Sequence, residues 1–184
     1  MQALLVVDAQ NEFSPEGRRA VPGHAKALET ILARVEPARR ELRPIAFIIH
    51  HNLPHESPAF IPGTWGAQLS PGLAPRPGSD LERRFEKTVF GAFSVPDLEP
   101  WLRSHGIDEI LIVGFSTHMC VSTTSREALV LGFNVLIDPN ATGTCDIEDD
   151  TLGRQTADEV RRSALLHLVH MGARLSSPLL PAAR

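Results

Sequence analysis

The chain has no tyrosine and only two cysteines, and both shortages limit its chemistry. Without tyrosine, no catalytic phenol is available. Two cysteines among 184 residues do not make a disulfide framework. Reduced thiols fit a cytoplasmic protein instead, and this is the location that we expect.

Other absences narrow the class of protein further. No apolar stretch approaches a membrane-spanning length, and the N-terminus lacks the basic segment of a signal peptide. The net charge is −4 without runs of like charge, so we expect no nucleic-acid or membrane partner. Hydrophobic residues make up 42% of the chain, which suits a globular core, and we find no linker or internal repeat. These observations predict one domain that spans residues 1–184.

Short apolar runs alternate with stretches of helical spacing along the chain. This alternation is typical of an α/β fold, a doubly wound three-layer α/β/α sandwich with a mostly parallel sheet. The expected strands are Ala3–Val7, Ile45–Ile49, a short segment ending near Lys87, Ile110–Val113, Asn134–Ile137 and the edge segment Ala173–Leu175. The expected helices are His24–Arg43, Asp97–Ser104, a segment beginning near Cys120, and Thr156–Met171.

Cys120 follows the most apolar of these strands. Gly114 ends the strand, and helical spacing starts at Val121, so Cys120 falls in the first turn of a helix. The helix N-terminus would favour a thiolate there, and its free N–H groups could stabilise an oxyanion. The alternative is a small buried hydrophobic side chain.

Asp8 and Lys87 also lie at the ends of expected strands. The carboxyl ends of the strands form the ligand-binding edge of an open α/β sheet. A carboxylate at this edge could take the thiol proton of Cys120, and an ammonium would stabilise both anions. Asp8 could instead cap its own loop, and Lys87 could extend its amine into water.

Several segments, in this order, resemble the isochorismatase-like cysteine hydrolases, which include nicotinamidases and N-carbamoylsarcosine amidohydrolases. The resemblance covers nearly the whole chain. Its segments are 5–13 around Asp8, 60–67 with Pro62-Gly63-Thr64, 86–93 around Lys87, 114–121 around Cys120, 138–144, and the helix from Ala157.

The resemblance implies an isochorismatase-like fold and a catalytic triad of Asp8, Lys87 and Cys120. Cys120 would attack an amide-like carbonyl, expel the amine and form a thioester that water hydrolyses. The N–H groups of Cys120 and Ser116 would form the oxyanion hole, and the peptide bond before Ser116 would be cis. The helix position of Cys120, together with Lys87, also predicts that Cys120, and not Cys145, is the reactive thiol. The family also implies a homodimer or homotetramer.

The rest of the pocket is expected to suit a planar or aromatic small molecule. Its expected substrate-binding residues are Gln10, Phe13, His51, Phe60, Trp65, Phe90 and His118. The long loop 52–79 is expected to be ordered over the site.

We predict that the protein uses no metal and no other cofactor. Metal-binding nicotinamidases carry an Asp-x-His pattern and a further histidine after the second strand. Here the segment is His50-His51-Asn52-Leu53-Pro54-His55, without the aspartate. A zinc site made of three histidines is the alternative.

Two other functions compete with amide hydrolysis. One is a vinyl-ether hydrolase, which would not need Cys120. The other is a catalytically silent binding protein on the same fold. The sequence does not identify the substrate.

Overall fold

The computed structural model describes residues 1–180, and a six-stranded parallel sheet lies at its centre. In chain order the elements are β1 (Gln2–Val7), α1 (His24–Arg40), β2 (Ile45–His50), β3 (Glu82–Lys87), α2 (Leu98–Ser104), β4 (Glu109–Phe115), α3 (Ser122–Val130), β5 (Asn134–Gly143), β6 (Ile147–Asp149), β7 (Gly153–Gln155), α4 (Ala157–His170) and β8 (Arg174–Leu175).

The strand order in the sheet is β3-β2-β1-β4-β5-β8. The chain runs outward from β1 through β2 to β3, and then returns to pair β4 beside β1. From β4 it continues in the other direction to β5 and β8. The strand order therefore reverses between β1 and β4, and such a reversal leaves a crevice beyond the carboxyl ends of the two strands.

Helices cover both faces of the sheet, which confirms the expected three-layer fold. Leu4 and Val6 of β1 pack in a core with α1, whereas Ala3, Leu5 and Val7 pack in a second core with the other three helices. Successive side chains of a strand point to opposite faces. Both faces of β1 are buried, and this is why the strand is a continuous apolar run in the sequence.

Three parts of the structure differ most from the sequence-based prediction. Helix α1 continues past Pro37 but ends at Arg40, because Leu42 takes a left-handed conformation with a φ of 53° and the N–H of Arg43 turns back to the Ala38 carbonyl. Strand β5 extends to Gly143 instead of ending at Ile137, and a register shift against β4 accommodates the extra length. The β6–β7 hairpin was not expected, because its residues are exposed and show no apolar alternation.

Within residues 1–180, no helix combines the length and the apolar character needed to cross a bilayer.

Candidate active site

Asp8 and Cys120 lie at the point where the strand order reverses. Asp8 directly follows β1, is fully buried, and has a φ of 48°. Cys120 lies in a single π-helical turn, Thr117–Val121, that joins β4 to α3. Such turns are frequent at functional sites. The peptide bond between Phe115 and Ser116, just before this turn, is cis.

Lys87 reaches the same point from two strands away. It ends β3 and pairs in register with His50 of β2, so its side chain must pass the end of β2 to reach β1. Its Nζ donates a hydrogen bond to Asp8 Oδ2 at 2.7 Å and another to Cys120 Sγ at 3.4 Å. Lys87 is only 3% exposed, so the alternative with its amine in water is wrong.

The pKa of the Cys120 thiol is higher than its position at the start of a helix suggested. Burial raises the pKa of the thiol, the Asp8 carboxylate raises it further, and the Lys87 ammonium only partly opposes them. The resting side chain is therefore a thiol, which corrects the expectation of a thiolate. Asp8 Oδ1 is buried and has no hydrogen-bond partner within residues 1–180, so an acceptor for the thiol proton is available.

His50 is a member of this cluster that the sequence-based prediction missed. Its Nδ1 lies 3.3 Å from Lys87 Nζ, and its Nε2 lies 2.8 Å from Asn52 Oδ1. The ammonium can only donate, so Nδ1 accepts and Nε2 carries the proton that is donated to Asn52. Burial and the nearby Lys87 lower the pKa of His50, which agrees with this neutral tautomer.

A cavity of about 970 Å³ opens above this cluster. Among the expected site residues, those that line it are Asp8, Phe13, Phe60, Phe90, Ser116, His118 and Cys120. Unexpected lining residues include His50, Asn52, Arg18, Arg19, Glu56 and Cys145. Asn52, Glu56, Ser57 and Phe60 come from the long loop after β2, so this loop does border the site.

His118 is fixed at the wall of the cavity by two hydroxyl groups. Its Nδ1 lies 3.1 Å from Ser116 Oγ and 2.6 Å from Thr144 Oγ1. Burial lowers the pKa of His118. The ring is therefore held as a neutral group beside Cys120.

Three residues that were expected in the pocket lie outside its lining. Gln10 is fully buried, and its amide group bonds to the backbone of His50 and Ala67. His50 ends β2 and points into the cavity, whereas the ring of the next residue, His51, lies beside Glu86. Trp65 is half exposed to solvent. Neighbouring residues of a strand point to opposite faces, so only one of two adjacent histidines at a strand end reaches the cavity. The sequence alone does not show which one.

The chain is similar to known proteins over most of its length. Residues 2–175 match the family model of the isochorismatase domain. A secreted isochorismatase effector of Verticillium dahliae is 30% identical over 78% of this chain and 73% of its own. A nicotinamidase/pyrazinamidase of Mycobacterium tuberculosis is 31% identical over 79% of this chain and 89% of its own. The crystal structure of an isochorismatase from Pseudomonas putida superposes with a TM-score of 0.86 at 27% identity, covering 95% of this chain and 86% of that one.

Proposed function

The chain belongs to the isochorismatase family, and on that basis we propose that it is a cysteine hydrolase that cleaves the C–N bond of a small amide through a thioester on Cys120. The observation that carries the proposal is the position of Lys87. Its Nζ hydrogen-bonds to both Asp8 and Cys120 on the floor of one cavity. A carboxylate, an ammonium and a thiol in contact are the parts of a base-assisted nucleophile.

In the first step, Asp8 takes the proton of Cys120 as Sγ attacks the amide carbon. The raised pKa of the thiol makes this proton transfer necessary. Protonated Asp8 then gives the proton to the leaving amine, and the thioester forms. In the second step, Asp8 takes a proton from a water molecule, whose oxygen attacks the thioester carbon; the C–S bond breaks, the carboxylic acid leaves, and Asp8 returns the proton to the Cys120 thiolate. Lys87 stays charged throughout and stabilises the thiolate as it develops.

The negative oxygen of each tetrahedral intermediate needs its own hydrogen-bond donors. We assign this role to the backbone N–H groups of Ser116 and Cys120. The Ser116 N–H donates to no group within residues 1–180, so it is available for a ligand. Removal of one donor from such a site typically costs about 10²–10³ in kcat.

A screen of small primary and secondary amides, read out by released ammonia or amine, tests the proposed activity. Substrates with a planar or aromatic body are the first choice, because Phe13, Phe60 and Phe90 line the cavity. If the folded protein hydrolyses none of the amides in the screen, this result counts against the proposal.

We expect the acyl group to accumulate on Cys120 and not on Cys145. Both thiols line the cavity, but Cys145 is exposed at its rim, whereas Cys120 contacts Lys87. Acid quenching during turnover, followed by mass mapping, locates the adduct. A Cys145→Ser variant should still form it, and an adduct confined to Cys145 would contradict the mechanism.

Activity should survive prolonged chelation with EDTA or dipicolinate. His50 Nδ1 faces the Lys87 ammonium, which would repel a cation, and His50 Nε2 is engaged with Asn52. Within residues 1–180, no group of three His, Cys, Asp or Glu side chains is arranged to hold a metal ion. The check is the turnover rate before and after chelation, with the metal content measured by mass spectrometry. Loss of activity that zinc restores would overturn this prediction.

A further inference from the structure

Arg18 and Arg19 stand at the rim of the catalytic cavity, where the sequence-based prediction placed no functional group. They belong to the loop between β1 and α1. Both side chains are exposed, and within residues 1–180 neither guanidinium forms an ion pair with a carboxylate. Arg19 makes one long contact, from Nη2 to Ser57 Oγ at 3.5 Å. Both cations are therefore available to a ligand.

The buried side chain of Glu12 fixes the backbone of this loop. Its carboxylate accepts the N–H of Arg18 at 3.1 Å and the N–H of Phe60 at 3.0 Å. The Arg19 N–H donates to the Glu12 carbonyl at 3.0 Å. A Cβ at Gly17 would lie 2.1 Å from that carbonyl oxygen, so the tight approach of the loop needs glycine. One glutamate thus joins the arginine loop to the loop that carries Phe60.

Among the side chains that line the rim, positive charges outnumber negative ones, whereas the buried Glu12 carboxylate lies behind the loop and is bound by two backbone N–H groups. On the floor, Asp8 is paired with Lys87. Within residues 1–180, Glu56 supplies the one carboxylate that lines the rim, whereas Arg18 and Arg19 supply two guanidinium groups. The Glu56 carboxylate also accepts the N–H of Leu53 at 2.8 Å. His50 and His118 add no charge near neutral pH, because burial lowers the pKa of each.

We infer that Arg18 and Arg19 select amides that carry a carboxylate at the end away from the scissile bond. This inference rests on the proposed function for the reaction itself. Guanidinium groups offer planar pairs of N–H donors that match a carboxylate. The amide of such a substrate would lie at Cys120, its body against Phe13 and Phe60, and its anionic end at the rim.

Two amides of matched shape test the inference. These are 4-carbamoylbenzoate, which carries one carboxylate, and terephthalamide, which is neutral. At low ionic strength the parent enzyme should favour the anion in kcat/KM, counted per amide group, by about tenfold, or about 1.4 kcal/mol. The ratio should fall towards one in an Arg18→Gln/Arg19→Gln variant, and also on addition of salt, which screens exposed charges.

Arg40→Gln is the matched control, because Arg40 is an exposed arginine at the far end of α1 and does not line the cavity. It should leave the ratio unchanged. A parent enzyme that prefers terephthalamide, or a double variant that keeps the preference for the anion, would overturn the inference while leaving amide hydrolysis intact.

A second measurement does not depend on amide turnover. 4-(Iodoacetamido)benzoate and 4-(iodoacetamido)benzamide alkylate the same thiol, and only the first carries a carboxylate, at the far end of its ring. Mass mapping gives the alkylation rate at Cys120 for each reagent. The rate with the anionic reagent, divided by the rate with the neutral one, should drop several-fold in the Arg18→Gln/Arg19→Gln variant and stay unchanged in Arg40→Gln. If neither amide turns over, the proposed function fails for this pair, and the alkylation ratio still decides the inference: a drop supports it, and an unchanged ratio overturns it.

Discussion

Asp8→Asn should slow acylation of Cys120 by about 10²–10⁴-fold, or roughly 3–5 kcal/mol of barrier. Asparagine keeps the shape and the hydrogen bond from Lys87 but cannot take the thiol proton. If Asp8 only capped its loop, asparagine would do so nearly as well and the rate would change little. Stopped-flow acylation rates measure the difference. A variant within about threefold of the parent, well short of the general-base range, would remove Asp8 from the mechanism.

The same substitution should lower the pKa of the Cys120 thiol, although it slows acylation. The Asp8 carboxylate raises the pKa of the thiol, so its loss lowers that pKa, and the thiolate forms at lower pH. Iodoacetamide alkylation of Cys120 should therefore begin at a lower pH in Asp8→Asn than in the parent. Unfolding would also remove the burial that raises this pKa, so circular dichroism has to show that the variant is folded before the two results are compared.

Stability has to be checked in parallel, because Asp8 and Lys87 form a buried ion pair. Removal of one partner from such a pair typically costs about 3–5 kcal/mol, since the other charge stays buried without compensation. The control is Asp8→Asn/Lys87→Met, which removes both charges and should recover much of that loss. Urea unfolding followed by circular dichroism separates the effect on stability from the effect on rate. If the double variant is as stable as the parent but as slow as Asp8→Asn, the loss of rate does not come from a loss of stability.

Cys120→Ser should abolish turnover, with a loss on the order of 10⁴–10⁶-fold, because the covalent route depends on the thiolate. Serine is close in size to cysteine, and the side chain at this position is nearly buried, so we expect the fold to persist. Steady-state rates on an amide found in the screen provide the measurement. Asp8→Asn/Cys120→Ser should be little worse than the more impaired single variant, since the residues act as one unit.

The Cys120→Ser experiment also separates the competing functions. A vinyl-ether hydrolase would keep its rate in this variant, because that reaction does not need the thiol. A binding protein without turnover would show no amide hydrolysis in the parent either, although its cavity would still accept ligands. Retained amide hydrolysis in Cys120→Ser would contradict the thioester.

The sequence alone was sufficient to predict the layers of the fold and the three residues at the strand ends. Strands that are buried on both faces leave continuous apolar runs, and these runs place Asp8 and Cys120 at the carboxyl ends of β1 and β4. Parallel strands bring such ends to one edge of the sheet whatever the order of the strands. This is why a constellation spread over more than a hundred residues is visible in a one-dimensional pattern.

Only the tertiary structure decided which groups surround these residues. The strand order determines that Lys87 passes β2 to reach Asp8, and this path selects His50 over His51 as the neighbouring ring. Burial and the Asp8 charge make Cys120 a resting thiol, although its position at the start of a helix favours a thiolate. Arg18 and Arg19 become rim residues because the buried Glu12 holds their loop. Each of these outcomes depends on groups far apart in the chain, whose distances and desolvation no local pattern encodes.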